Sequence, residues 1–277
     1  MGTSKVALPL HRERVTAPGA DPGSHLVFLH GIFGSGRNWA TVARRLVRYR
    51  PEWGALLVDL RQHGSSRGFS PPHTLAAVAA DVRQLIVASE YPVRGVLGHS
   101  FGGKVALELV RGEDTDAVLE TLWVVDSTPD ALAPGGSAWD VLAALERAPG
   151  PFQDHVAGVA ALKAQKVSEP VARWMATNLE ERMDGWRWRI DLADMEAMLR
   201  DFCHVDLWSV AEDPLENLHV HMVKAEESSA LGPAACLRLE EAERRTGRVH
   251  LHRIAGGHWV NEDNPDALVS LLLKKLP

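Results

Sequence analysis

Cysteine is nearly absent from this sequence: 277 residues hold two, Cys203 and Cys236. Two thiols cannot build a disulfide framework, which favours a reducing compartment. A surplus of positive charge is also lacking. Thirty basic residues face thirty-six acidic ones, a net −6, which argues against a nucleic-acid or anionic-membrane partner. No apolar run reaches the length of a membrane span. The opening stretch MGTSKVALPLHRERV has none of the apolar core that a secretory leader carries. Internal repeats and low-complexity tracts are missing too. The expected location is intracellular, either the cytoplasm or an organelle (mitochondrion or plastid) once a transit peptide has been removed.

What is present is the composition of an ordinary globular protein, 45% hydrophobic and 24% charged, in a chain long enough for one large core. Short apolar runs alternate with amphipathic ones, the pattern of parallel strands joined by helices. SHLVFLHG (24–31), GALLVDL (54–60), VRGVLGHS (93–100) and TLWVVD (121–126) read as buried strands, and NLHVHMVKA (217–225) and RVHLHRIAG (248–256) as two more. Asn264 followed by Pro265 reads as the cap and first turn of a last helix, with Lys274 and Lys275 suiting its far end.

The rhythm breaks between 131 and 216, where the pattern reads as helical throughout and five of the nine tryptophans fall. The expected class is therefore α/β, a mostly parallel central sheet flanked by helices, with a helical cap inserted after the sixth strand. Residues 1–130 and 217–277 form the core in this reading, and 131–216 the cap, or lid. The sheet pattern resumes without a Gly-, Ser- or Pro-rich linker, which argues against an independent domain.

The stretch GVLGHSFGGK carries the chemistry. Gly98-His99-Ser100-Phe101-Gly102 fits G-x-S-x-G between a strand and a helix. A serine on so tight a turn needs glycine two positions to either side, and the turn aims a helix N-terminus at whatever binds the hydroxyl. A hydroxyl needs a base, and AGGHWVNEDNP places His258 just after the last strand, where that base belongs. The base needs an orienting acid. Asp126 in VVDSTPD is favoured, with Glu226 and Glu227 in VKAEESSA as rivals after the next strand. The loop in FLHGIFGSGRNW can point an amide above Ser100: Ile32 first, Phe33 second, with the amide of Phe101 as partner.

Together, HGIFGS, DLRQHGSS, GHSFGGK, VVDSTP and AGGHW resemble the α/β-hydrolase family, in order and spacing, across nearly the whole chain. Within that family they are similar to the small carboxylesterases of bacteria and of the abhydrolase-domain-containing-protein-eleven group. The resemblance implies carboxylesterase or lipase-like acyl hydrolysis, no cofactor, a helical cap, and the roles of Ser100, His258 and Asp126. VKAEESSA departs from the GG-[NS]-S-like loop of the bacterial esterases, which leaves the acyl group open.

The expected substrate is a small acyl ester or thioester. Thioesterase and acyltransferase activity remain as alternatives, as does a receptor that keeps the scaffold with little turnover. Dehalogenase and epoxide-hydrolase chemistry use a carboxylate nucleophile where this chain has Ser100. Trp186 and Trp188 in GWRWRIDL are expected either to line an acyl pocket or to fill the cap's core. Arg61 and His63, on a loop beside the expected site, read as loop-structuring residues, with steering of a substrate carboxylate as the alternative. His219, His221, His250 and His252 alternate on two strands, but no thiol or carboxylate completes a metal set, so no metal is expected.

Overall fold

In the computed structural model, residues 9–112 and 119–277 are described. The reading of the N-terminal residues therefore lies, for 1–8, outside the described residues. Continuous apolar runs become strands buried on both faces, as the parallel arrangement requires. In chain order these are β1 (Arg12–Val15), β2 (Ser24–Leu29), β3 (Trp53–Val58), β4 (Val93–His99), β5 (Thr121–Val125), β8 (His219–Ala225) and β9 (Val249–Ile254). They form a seven-stranded sheet in the order β1-β3-β2-β4-β5-β8-β9. Only β1, at the edge, runs antiparallel to its neighbour.

Because successive side chains on a strand point to opposite faces, the sheet makes two core layers. Val27, Leu29, Leu56, Val58, Val96, Leu122, Val124, Val220 and Met222 face one layer. Helices α2 (Leu75–Val87), α3 (Phe101–Leu109) and α9 (Pro233–Thr246) supply buried residues to it. Leu26, Phe28, Ala55, Leu57, Leu97, Trp123, Val125 and Val223 face the other, packed with α1 (Ala40–Tyr49), α10 (Val260–Asp263) and α11 (Pro265–Lys275). Asn264 caps α11 by accepting from the Ala267 amide at 3.1 Å, with Pro265 at its first position.

Between β5 and β8 lie α4 (Ser137–Arg147), α5 (His155–Ala164), α6 (Glu169–Ala176), β6 (Leu179–Arg182), β7 (Gly185–Trp188), α7 (Leu192–His204) and α8 (Trp208–Glu212). Two expectations need correction. The insertion is not wholly helical, since β6 and β7 pair as an antiparallel hairpin. Met183 and Asp184 make its turn, Gly185, at φ 123°, opens the second strand, and Phe152 adds a bridge through reciprocal bonds with Trp186 of 2.8 and 2.7 Å. The insertion also follows the fifth strand rather than the sixth, because a single strand, β1, precedes the parallel set in the described residues. Its buried Val141, Leu145, Leu162, Met175, Met195 and Met198 join the same cluster as one face of the sheet.

The strand histidines pair with one another. His219 Nδ1 lies 3.0 Å from His250 Nε2, and His221 Nδ1 lies 3.0 Å from His252 Nε2. Trp123 stacks on His221 at 4.0 Å. Burial, then the neighbouring imidazoles, push His221 below its ordinary range and His252 down to about 4. Among the described residues no three His, Cys, Asp or Glu side chains are grouped to hold a metal ion. Cys203 and Cys236 are both buried and free. No helix among the described residues is long and apolar enough to cross a membrane.

Candidate active site

β4 ends one residue before Ser100 and α3 begins one residue after it. To turn that sharply Ser100 takes φ 51° and ψ −116°, a region L residues avoid and one that costs on the order of 1–3 kcal/mol. The flanking glycines make the turn possible. A Cβ at Gly98 would meet the Gly102 carbonyl oxygen at 2.0 Å, and one at Gly102 would meet the His30 carbonyl oxygen at 2.5 Å.

Asp126 immediately follows β5 and also has a positive φ, 45°. Its amide donates to Val223 O at 2.7 Å, and its Oδ1 accepts from the Ala225 amide at 3.1 Å, so β8 grips it from both sides. The carboxyl is fully buried. Burial alone would raise its pKa, but bonds from His258, Ser228 and the Ala225 amide outweigh that and hold it below the usual carboxylate range.

His258 stands on the loop after β9, where Gly256 takes φ 130°. Its Nδ1 lies 2.6 Å from Asp126 Oδ2 and its Nε2 lies 3.0 Å from Ser100 Oγ. Ser100, His258 and Asp126, far apart in the chain, are thus joined in one hydrogen-bonded row. Glu226 and Glu227 are exposed, and only their main chain engages the His258 loop, through amides on Ile254 O and Gly256 O.

The residue beside the serine contributes something the sequence did not signal. His99 is buried, and its Nε2 donates to the main-chain oxygen of His258 at 2.6 Å. Burial, then the proximity of His258, push His99 down to about 3, so it serves as a neutral donor.

The loop after β2 is built by two more neutral histidines. His30 accepts from the Leu60 amide at 3.0 Å, and His63 accepts from the Phe33 amide at 3.2 Å. Burial lowers both, His63 to about 3 with His30 adding to the effect. This corrects one expectation: the Phe33 amide is taken by His63 and is not free to bind an oxyanion. The amides of Ile32 and Phe101 have no acceptor among the described residues. Arg61 is structural, paired with Asp81 at 2.9 Å and donating to Pro72 O at 2.7 Å.

A cavity of about 700 Å³, open mouth included, lies over Ser100 and His258. Ile32, Trp39, Val141, Val171, Trp174 and Trp259 give it an apolar lining. Trp174, from α6, meets Trp259 edge to face at 4.2 Å. Trp186 and Trp188 do not line this cavity. Trp186 packs beside His155 at 4.2 Å, and Trp188 donates to Ala148 O at 2.7 Å while meeting the edge of Phe152. Spaced two apart on the hairpin, the two share one face and both are half-buried, Trp188 against the main hydrophobic cluster. Trp174 and Trp259 hold the place expected of them, and the signal for Trp259 was its position directly after His258.

Comparison with known proteins agrees with this architecture. A Xenopus tropicalis protein named sn-1-specific diacylglycerol lipase ABHD11 is 30% identical over 66% of this chain and 58% of its own length. Its Danio rerio namesake is 29% identical over 71% of this chain and 62% of its own. The chain therefore spans less than two thirds of the length of these curated relatives. Among solved structures, one described as a marine microorganism esterase superposes with a TM-score of 0.82, covering 98% of this chain and 100% of that one at 22% identity. At that identity the likeness is one of fold. Residues 26–271 match the model of the alpha/beta hydrolase family, and the chain belongs to that family.

Proposed function

We propose that this protein is a serine hydrolase that cleaves carboxylic ester bonds through an acyl-enzyme. The observation that carries the reading is the row from Ser100 Oγ to His258 Nε2 (3.0 Å) and from His258 Nδ1 to Asp126 Oδ2 (2.6 Å). His258 takes the Ser100 proton as the hydroxyl oxygen attacks the acyl carbonyl, and buried, ionised Asp126 fixes the tautomer and balances the imidazolium. The amides of Ile32 and Phe101 receive the developing oxyanion. One donor of this kind is typically worth about 2.7–4 kcal/mol. His258 then protonates the leaving alcohol, which departs with the bonding pair. Water, deprotonated by His258, attacks the acyl-enzyme and releases the acid and Ser100.

Residues 131–216 act in this proposal as a cap that closes the apolar cavity over the acyl chain. The apolar lining supports an acyl group of some length, and the names of the frog and fish relatives point to lipid esters.

Turnover of a p-nitrophenyl ester series, together with fluorophosphonate labelling, tests the reading. The natural chain should hydrolyse the esters and take one label, and Ser100→Ala should do neither. An undiminished rate in Ser100→Ala would remove the serine from the mechanism.

A further inference from the structure

Lys104 is fully buried, four residues beyond Ser100 and hence about one turn further along the same side of α3. No step of the proposed reaction uses it. Its ammonium donates to two main-chain oxygens, those of Asp130 and Phe202, each at 2.6 Å, and stands 4.6 Å from the centroid of the Phe202 ring. Among the described residues no carboxylate forms an ion pair with it. The carboxylate of Asp130 is engaged elsewhere, accepting from Thr128 Oγ1 at 2.8 Å and Trp208 Nε1 at 2.5 Å.

The two carbonyls belong to the two roots of the insertion. Residues 129–132 lead into it and 202–208 join the end of α7 to the start of α8, and the two stretches are laced together. The Leu132 amide donates to Cys203 O at 2.7 Å, and the Leu207 amide donates to Pro129 O at 2.9 Å. Lys104 ties this laced pair to the helix that follows the serine. A buried cation is expensive, and an apolar side chain of similar volume would fill the same space without desolvating a charge. An apolar side chain could not hold two carbonyls, however, whereas an ammonium has three donors to aim.

We infer that Lys104 is a positioning residue: it seats the insertion against the nucleophile helix and so sets the acyl-chain selectivity of the cavity. The inference rests on the hydrolase reading above. α4, which starts a few residues after the first root, brings Ser137, Ala138 and Val141 to the cavity, and α6 brings Val171 and Trp174. A shift at the roots moves these walls relative to Ser100. The row of Ser100, His258 and Asp126 is held by β4, β5, β8 and the loop after β9, none of which Lys104 touches through the two carbonyls. Long acyl chains, which reach the walls, depend on Lys104, and an acetyl group does not.

The test compares p-nitrophenyl acetate with p-nitrophenyl octanoate in the natural chain, Lys104→Met and Lys104→Arg. In Lys104→Met the octanoate-to-acetate ratio of kcat/KM should fall by about tenfold, a change worth about 1.4 kcal/mol, and mainly through KM for octanoate. Acetate turnover and fluorophosphonate labelling should stay near their natural rates. Lys104→Arg, which keeps the charge and the donors, should recover part of the ratio. An equal loss on both esters, or an unchanged ratio in folded Lys104→Met, overturns the inference. Should Lys104→Met fail to fold, Lys104→Gln, whose shorter side chain cannot span both carbonyls, takes its place; its ratio should also fall, and an unchanged one overturns the proposal. If the natural chain hydrolyses neither ester, the hydrolase reading has failed and limited proteolysis decides this one. Faster cleavage within 131–206 in Lys104→Met, or in Lys104→Gln should Lys104→Met not fold, supports the seating role, and equal cleavage refutes it.

Discussion

His99 and Ser100, neighbours in the chain, hold His258 at opposite ends: His99 Nε2 binds its main-chain oxygen at 2.6 Å, and Ser100 Oγ meets its Nε2 at 3.0 Å. The loop carrying His258 contains two successive glycines, Gly256 and Gly257, and is easily deformed. Losing the His99 bond should therefore loosen the imidazole. His99→Phe is expected to lower kcat by about tenfold or more with KM little changed, as expected when proximity is degraded. His99→Gln, whose amide can reach the same oxygen, should recover much of it. Steady-state kinetics of both variants checks this, and equal activity in all three proteins would contradict it.

Asp126 is the only carboxylate bonded to His258 among the described residues. Asp126→Asn should lower kcat by roughly 10⁴, the size of effect seen when the orienting acid of a serine-histidine-acid site is neutralised. Glu226→Gln and Glu227→Gln should stay within about twofold, as exposed side chains removed from the imidazole. A larger loss in either glutamate variant than in Asp126→Asn would reassign the acid.

The turn at Ser100 leaves no space beside it. Alanine at Gly98 would press its Cβ against the Gly102 carbonyl at 2.0 Å, and backbone on both sides is fixed by the sheet and by α3. Gly98→Ala should cost at least about 3 kcal/mol, in the range reserved for overpacking with backbone strain. Chemical denaturation reads this directly. A variant within 1 kcal/mol or so of the natural chain would show that the elbow yields more than expected.

Acid should destabilise the fold through its buried neutral histidines. His63 and His99 are both held at about 3 against an ordinary 6.5. Below the ordinary value the unfolded chain binds protons that the folded chain refuses, so stability is fully present above about 6.5 and declines as pH falls toward 3. Each group contributes up to about 1.4 kcal/mol per pH unit within that window. Urea midpoints should fall clearly between about pH 7 and pH 5, and His63→Gln should flatten the slope. A midpoint independent of pH across that range would refute the neutral state assigned to these rings.

Trp174 and Trp259 meet over the cavity, whereas Trp186 and Trp188 turn away from it. Trp174→Ala should shift preference among acyl lengths, because an aromatic wall carries on the order of 3 kcal/mol of packing. Trp186→Ala should alter stability and leave the preference alone. Rates across a series from acetate to dodecanoate would distinguish these outcomes, and a preference that follows Trp186 would reverse the assignment of the walls.

Much of this architecture could be read from the chain because parallel strands buried on both faces are written as unbroken apolar runs. GALLVDL and TLWVVD leave little choice. β1 was missed because its sequence, RERV, is polar and lies at an open edge with its first three residues exposed. The hairpin at 179–188 was missed for a related reason: LEER and GWRW carry charges at positions where helices also carry them. G-x-S-x-G and the histidine after the last strand drew attention to residues that the fold does bring into hydrogen-bonding contact. What stayed hidden were the partners met only in three dimensions. Nothing near Phe33 in sequence announces that His63, thirty residues on, takes its amide. Nothing near Lys104 announces that residues 130 and 202 converge on it.

β5 and β8 are separated in sequence by the whole insertion, yet they are adjacent strands, with Thr121 opposite His219. Whatever length of chain is strung between them, the ladder they share can form unchanged, and the entropy of closing a longer loop rises only slowly. In the proposed hydrolase, the stretch 131–216 can therefore change in length without displacing the strands whose ends carry Ser100 and Asp126.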